Sequence, residues 1–132
     1  MLALVLPMTV AAQQTQYIAI SSSIGVYDSV DKPYLWQPQK MISIPVTVDL
    51  DNKTLCIFSD TTQTFDLLSF EKTGESEHFR HWKIGATNQN GIKVIIHEQM
   101  PINSSFEHLI MIWFPDYSIL YEISPVEAAS SH

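Results

Sequence analysis

Between residues 41 and 59, apolar and polar side chains alternate with a period of two, and no other pattern in the sequence constrains the fold as strongly. On the first arm every second residue is apolar: Ile42, Ile44, Val46, Val48 and Leu50. Asp51 and Asn52 interrupt the alternation, which resumes with Leu55 and Ile57. A period of two is typical of a strand with one buried face. We therefore predict a β-hairpin over this stretch.

The phase of the two arms predicts the register of the hairpin. A two-residue loop at Asp51-Asn52 places Val48 opposite Leu55 and Val46 opposite Ile57, so that apolar side chains share one face. A loop shifted by one residue, to positions 52 and 53, keeps the same parity. A three-residue loop would mix the two faces, and we exclude it for that reason.

Asn90-Gly91 is the strongest single turn signal in the chain. Both central residues of a type I′ turn need positive φ, and this pair is the preferred one. A two-residue loop at these positions would set Lys83 opposite Glu98 and Ile84 opposite His97. We predict a second hairpin with that register.

A further turn, a bulge and a loop are predicted in the remaining segments. Pro115-Asp116 would turn the chain so that Ile112 faces Ile119. The apolar phase changes at Leu67-Leu68, which indicates a β-bulge. The acidic stretch Glu71–Glu77 contains a glycine and is predicted to be a loop.

The segments between these turns are all predicted to be strands, about seven or eight in number. No stretch of ten or more residues combines helical periodicity with helix caps. Turns spaced roughly every eight to twelve residues are typical of small β-proteins. The sequence therefore predicts an all-β fold, either a small antiparallel sandwich or a barrel-like meander. Lys32–Gln39 holds two prolines, so we predict an extended edge segment there.

Composition limits the class of protein. The chain has 132 residues, enough for a single domain. It carries 14 acidic and 7 basic residues, for a net charge of −7. That balance argues against binding nucleic acid, which needs a basic stripe, and offers anionic lipid no polybasic segment. With 45% hydrophobic and 16% charged residues, the chain can form a core.

The N-terminal segment Met1–Ala12 is uncharged and too short to span a membrane. It resembles the remnant of a secretory signal peptide with small residues before Gln13, although the basic leading region is missing. The alternative is an apolar first strand. We predict a secreted or periplasmic protein without an integral membrane span. Its single β-domain covers residues 13–132 and ends in a frayed tail from Val126.

Cys56 is the only cysteine in the sequence, so an intramolecular disulfide is excluded. Its position within the predicted hairpin favours a packed thiol. Asn52 and Asn103 fit the N-glycosylation pattern, which matters only in a eukaryotic secretory host.

The histidines offer a weak candidate for a metal site. His81 and His97 could approach each other across the sheet, with Glu98 or His108 as a further ligand. No H-E-x-x-H motif is present. Solvated or hydrogen-bonded histidines are the favoured interpretation, and we predict no bound metal and no cofactor.

No catalytic motif is found elsewhere in the sequence. There is no G-x-S-x-G, no phosphate-binding loop and no G-x-G-x-x-G. Carboxylates could serve glycoside hydrolysis or bind Ca²⁺, either in the acidic stretch 71–77 or at Asp49 and Asp51 on the outward face of the hairpin. Charge on a solvated surface is the favoured interpretation. The enzyme question stays open, leaning towards no.

Two apolar features indicate a binding surface instead. Residues 109–114 are apolar on both faces of a predicted strand, which requires cover from the segment 32–39 or from another protein. Trp36 lies between prolines in that segment. The predicted binding residues are Tyr34, Trp36, Met111 and Trp113.

The leading functional hypothesis is an exported, non-enzymatic β-domain that binds a protein or small ligand through aromatic and apolar surface. One alternative is a metal-dependent or carboxylate-based hydrolase. Another is a structural subunit of an envelope assembly. Homo-oligomerisation is compatible with the first and third hypotheses.

Overall fold

The computed structural model describes residues 14–26, 35–103 and 106–126. The predictions made for the apolar segment Met1–Ala12, for Tyr34 and for the C-terminal tail beyond Val126 lie outside the described residues. The described strands are β1 (Gln14–Val26), β2 (Leu35–Trp36), β3 (Lys40–Asp49), β4 (Thr54–Ile57), β5 (Gln63–Glu75), β6 (Phe79–Asn88), β7 (Lys93–Pro101), β8 (His108–Trp113) and β9 (Tyr117–Pro125). The described ranges contain no helix, and hence none that could cross a membrane.

The strands form a closed antiparallel barrel. From β3 to β9 each strand pairs with the next one along the chain, and β1 pairs with both β3 and β9. This last pairing closes a ring of eight strands. The two-residue β2 adds to β1 at the end of the strand order, in keeping with the predicted edge segment. The all-β, barrel-like meander is confirmed.

The register predicted for the β3–β4 hairpin is confirmed. Val46 lies opposite Ile57 and Val48 opposite Leu55. The turn itself is longer than expected and covers residues 50–53, where Lys53 adopts a positive φ of 54°.

Asp49 does not lie on a solvated outer face, and that prediction is wrong. Its side chain is buried at the turn. There it accepts hydrogen bonds from the Asn52 backbone N–H at 3.2 Å and from Asn52 Nδ2 at 2.8 Å. The carboxylate therefore satisfies donors of its own turn, as Asp commonly does.

The bulge predicted at Leu67-Leu68 is confirmed. The register of β5 against β6 shifts between Leu67 and Ser69. Leu67 is buried and Leu68 is 65% exposed. A second shift occurs between Lys72 and Gly74. The acidic stretch 71–77 is not a loop, because β5 keeps pairing with β6 as far as Glu75.

The register predicted for the β6–β7 hairpin is wrong by one residue. Lys83 lies opposite His97 and Ile84 opposite Ile96. Gly91 has a positive φ of 80°, but Asn90 does not share it, so the turn is not type I′. The observed pairing places Ile84 and Ile96 together in the core, which the predicted pairing would not have done.

The side chain of Asn88 explains the longer turn. Asn88 Oδ1 accepts hydrogen bonds from the backbone N–H groups of Asn90 and Ile92, at 2.9 and 3.0 Å. The backbone N–H of Gly91 donates to the Asn88 carbonyl at 2.9 Å. Asn88, two residues before Asn90 of the Asn-Gly pair, thus organises a turn that is one residue longer than predicted. The β8–β9 register, with Ile112 opposite Ile119, agrees with prediction.

Aromatic side chains fill one end of the barrel. Phe65 is fully buried, and its ring centroid lies 6.2 Å from that of Phe114. Phe114 stacks on Tyr117 with centroids 4.6 Å apart. These three residues lie near the β8–β9 turn, and we call this the closed end. The rest of the core alternates along the strands, as in β8, where Ile110 and Ile112 are buried.

Candidate functional site

The opposite end of the barrel contains a cavity of about 580 Å³ that opens to solvent. It is bordered by the start of β1, the β3–β4 turn, the start of β6 and the end of β7. We call it the cup. Most of its lining is apolar or aromatic: Tyr17, Val48, Leu50, Leu55, Leu67, Phe70, Trp82, Ile84, Ile96, Met100 and Ile110. The polar lining residues are Thr15, Lys53, Arg80 and Glu98.

The lining follows from strand alternation and from the β5 bulge. On β7 the inward positions are Ile96, Glu98 and Met100, from deep in the cup towards its mouth. On β5 the bulge at Leu68 changes the phase, so that Phe70 lies opposite Ile84 and lines the cup. A regular strand would have pointed Phe70 outward and left that part of the wall polar.

A small polar cluster interrupts the apolar wall. His108 Nε2 and Glu98 Oε2 lie 2.6 Å apart, and their side chains are only 7% and 17% exposed. The ring of Tyr17 meets the ring of His108 edge to face, with centroids 5.3 Å apart. Burial, and then the negative charge of Glu98, raises the pKa of Tyr17 above its ordinary value. The Tyr17 phenol therefore stays neutral at any physiological pH.

Charged residues surround the mouth of the cup. Glu75 forms an ion pair with Lys72 and lies 3.9 Å from Arg80 Nε. The hydrogen bond from Lys72 and then its positive charge lower the pKa of Glu75, and Arg80 contributes in the same direction. Lys53 is exposed on the β3–β4 turn. The basic residues lining the cup, Lys53 and Arg80, are thus exposed at its mouth, whereas the one acidic residue lining it, Glu98, is mostly buried.

Comparison with known proteins identifies no relative. No family model matches the sequence, and neither the curated proteins nor the solved structures give a significant match. Any function must therefore be inferred from the geometry of the site.

Three of the predicted binding residues, Trp36, Met111 and Trp113, lie on the outer face of the barrel and not in the cup. Trp113 lies opposite Ser118, Ser118 opposite Gly25, and Gly25 opposite Trp36. Trp36 and Trp113 therefore lie in one row across the sheet. Three strand spacings separate them, so their Cα atoms are about 14 Å apart. The indole of Trp36 covers Gly25 so closely that a Cβ there would come within 2.9 Å of the ring.

Met111 lies two residues from Trp113 on the same outer face of β8, and both side chains are half-buried. This strand is therefore partly covered on its outer side, while Trp36 is 40% exposed. Tyr34 lies outside the described residues. That this outer row binds a partner stays a prediction.

The two candidate metal ligands lie near each other on the outer face. His81 and His97 both line a shallow groove of about 320 Å³, together with Met111. His97 packs against Trp113 with ring centroids 5.3 Å apart. Among the described residues, no group of three or more His, Cys, Asp or Glu side chains is placed to hold a metal ion. The groove therefore offers apolar contacts beside two imidazoles.

The pKa of His97 is expected to lie below 6.5, and Lys83→Gln should raise it. Burial disfavours the imidazolium, and the positive charge of Lys83 adds to that effect. The lowered pKa means that His97 favours the folded state above pH 6.5, and this contribution is lost as pH falls through the folded-state pKa. Two-dimensional NMR of the imidazole resonances against pH measures the midpoint. Lys93→Gln, on the same strand, is the control and should leave it unchanged.

The residues of the cup were missed by sequence reasoning. Glu98 and His108 were considered as further ligands for the two outer histidines, and Tyr17 was not singled out. One signal was available: Glu98 stands between Ile96 and Met100 in the phase that β7 turns inward. The one-residue error at the β6–β7 turn had paired Glu98 with Lys83, as expected of a surface ion pair.

Proposed function

We propose that this protein binds a small, largely apolar molecule inside the cup. The observation that carries the proposal is a cavity of about 580 Å³ with a mainly apolar wall and few polar groups. Ligand sites in proteins have volumes of about 300–1,000 Å³ and the same composition of lining. An eight-stranded barrel has an interior just wide enough to be filled by side chains or to hold one small ligand.

In this barrel, side chains fill the interior at one end and leave a cavity at the other. At the closed end Phe65, Phe114 and Tyr117 fill the interior. At the open end the inward residues line a space and leave it accessible. Binding without catalysis, by an exported protein, remains part of the proposal, and it rests on the absence of recognisable catalytic motifs and on the apolar N-terminal segment of the sequence.

Filling the cup is expected to abolish binding of an apolar probe. Nile red, a neutral dye whose emission shifts in apolar surroundings, should bind the wild-type protein with a stoichiometry of one. Leu67→Trp should weaken that binding about tenfold or more, because the larger ring occupies the cavity. Leu68→Trp is the matched control, since Leu68 is adjacent but points outward at the bulge. Fluorescence titration measures both affinities.

Folding of each variant is verified by circular dichroism and urea unfolding. Met100→Trp provides a second way to block the cup, because Met100 lies near the mouth and is half-buried, which requires less repacking. Equal affinity of Nile red for the Leu67→Trp, Met100→Trp and Leu68→Trp variants would refute binding in the cup.

A further inference from the structure

Glu98 is an unusual residue to find in the wall of an apolar cavity. Its inward neighbours along β7, Ile96 and Met100, are apolar. The residues opposite it are Trp82 on β6 and Ile110 on β8. A carboxylate in such surroundings costs free energy unless partners compensate it. The structure supplies one partner, His108, on the neighbouring strand.

The pairing with His108 uses only part of the carboxylate. Oε2 of Glu98 lies 2.6 Å from His108 Nε2. Within the described ranges no hydrogen bond joins Oε1 to another residue. An ionised carboxylate accepts hydrogen bonds at about four lone-pair positions. Glu98 lines the cup, so the remaining capacity of its carboxylate is available to a molecule bound there.

Aromatic rings lie around the same space. Tyr17, Phe70 and Trp82 also line the cup. The faces of aromatic rings attract cations, and Trp most strongly. Aromatic rings beside a carboxylate are the surroundings that favour an ammonium group over an anion.

Resting on the proposal that the cup binds a small molecule, we propose that this molecule carries one hydrogen-bond-donating group, an ammonium or a hydroxyl, which binds Glu98 while its apolar body contacts the cup wall. A carboxylate in the same position would face the negative charge of Glu98 and could not donate to it. His108 holds the carboxylate through its other oxygen, Oε2.

The basic residues at the mouth are the competing site for a head group. Arg80 lies beside Glu75, which also pairs with Lys72, so part of their positive charge is already neutralised. The side chains of Lys72 and Arg80 are also nearly half exposed, where attraction to an anion is weakened by water and salt. We therefore expect only weak attraction of an anion to the mouth. Tight binding of an anionic ligand there would contradict the proposal.

Three probes with ten carbon atoms each separate these outcomes: decylamine, decan-1-ol and decanoic acid. Each is titrated below its micelle concentration into wild-type protein carrying Nile red, and its displacement of the dye is measured at pH 7. We expect decylamine to bind about 10- to 100-fold more tightly than decanoate, the range of one charge-assisted hydrogen bond. If decan-1-ol binds with the same affinity as decylamine, a neutral hydrogen-bond donor is sufficient. If its affinity is much lower, the site requires the positive charge of the ammonium group.

Glu98→Gln should weaken decylamine binding about tenfold or more and leave Nile red binding within about twofold. Glu71→Gln is the matched control, because it removes the same charge from the outer face of β5 and should change neither affinity.

The proposal is overturned if decanoate binds most tightly, or if a folded Glu98→Gln variant keeps its full affinity for decylamine. The relative affinities of the three probes for the wild-type protein test the proposal even if the Glu98→Gln variant does not fold. Nile red that fails to bind the wild-type protein would refute the binding function itself. Nile red that binds, with no preference among the three head groups, would refute only the role of Glu98.

Discussion

Replacing Phe65 by alanine is expected to lower the free energy of unfolding by about 3–5 kcal/mol, the usual cost of removing a fully buried aromatic ring. Phe65 has no exposed surface. Its ring contacts Phe114, which in turn stacks on Tyr117. The alanine variant leaves a void at the closed end that these two rings cannot fill without leaving their stacked arrangement. Urea unfolding followed by circular dichroism measures the loss.

Phe58→Ala is the matched control for this prediction. Phe58 is 46% exposed, so the same chemical change removes little buried surface. Its effect should stay within about 1 kcal/mol. If the two variants unfold at similar urea concentrations, the aromatic cluster does not contribute to stability as described.

His108→Leu is expected to have a comparable effect, with a loss of about 3 kcal/mol at neutral pH. The substitution leaves the carboxylate of Glu98 largely buried and without its partner at 2.6 Å. Removing one partner of a buried, hydrogen-bonded pair leaves the other group without its partner and is more destabilising than removing both groups. The estimate is at the low end for such pairs because Glu98 retains some contact with water through the cup.

The double variant Glu98→Leu with His108→Leu separates pairing from packing. It should recover most of the stability that the single variant loses, because no unpaired charge is left in the wall. His81→Leu, on the outer face, controls for the loss of a histidine and should have a small effect. A double variant less stable than His108→Leu alone would show that the pair stabilises the barrel by itself. Thermal and urea unfolding of all three variants provide the comparison.

The alternation of apolar and polar residues was enough to predict the β3–β4 register and the bulge in β5. The β3–β4 register follows from matching apolar phases on the two arms, because a one-residue slip would turn Val46 and Val48 out of the core. The bulge at Leu68 follows from the change of phase within β5. In both cases the cost of exposing apolar side chains decides the structure, and that cost can be read from the sequence.

The β6–β7 turn shows where this reasoning fails. The Asn90-Gly91 pair is a strong local signal, but the hydrogen bonds accepted by the Asn88 side chain and the burial of Ile84 and Ile96 outweigh it. A difference of one residue in the turn reverses which side chains face inward together. It is this difference that changes Glu98 from a surface residue into part of the cup wall.

The cup itself could not have been predicted from the chain. Tyr17, Glu98 and His108 belong to three different strands and come together only because β1 pairs with β9. The volume of a cavity also depends on how all the surrounding side chains pack, and local sequence patterns do not specify that packing. Trp36 and Trp113 on the outer face were easier to identify from the sequence, because they are large apolar residues close to prolines.

The pairing of β1 with β9 has a consequence for how the molecule reaches its native state. These strands lie at opposite ends of the described chain, and the Val126 backbone N–H donates to the Gln16 carbonyl at 3.1 Å. Contacts between such distant segments form late and make folding slow. Until they form, β1 and β9 each present an unpaired edge, so the final closure competes with strand exchange between neighbouring molecules.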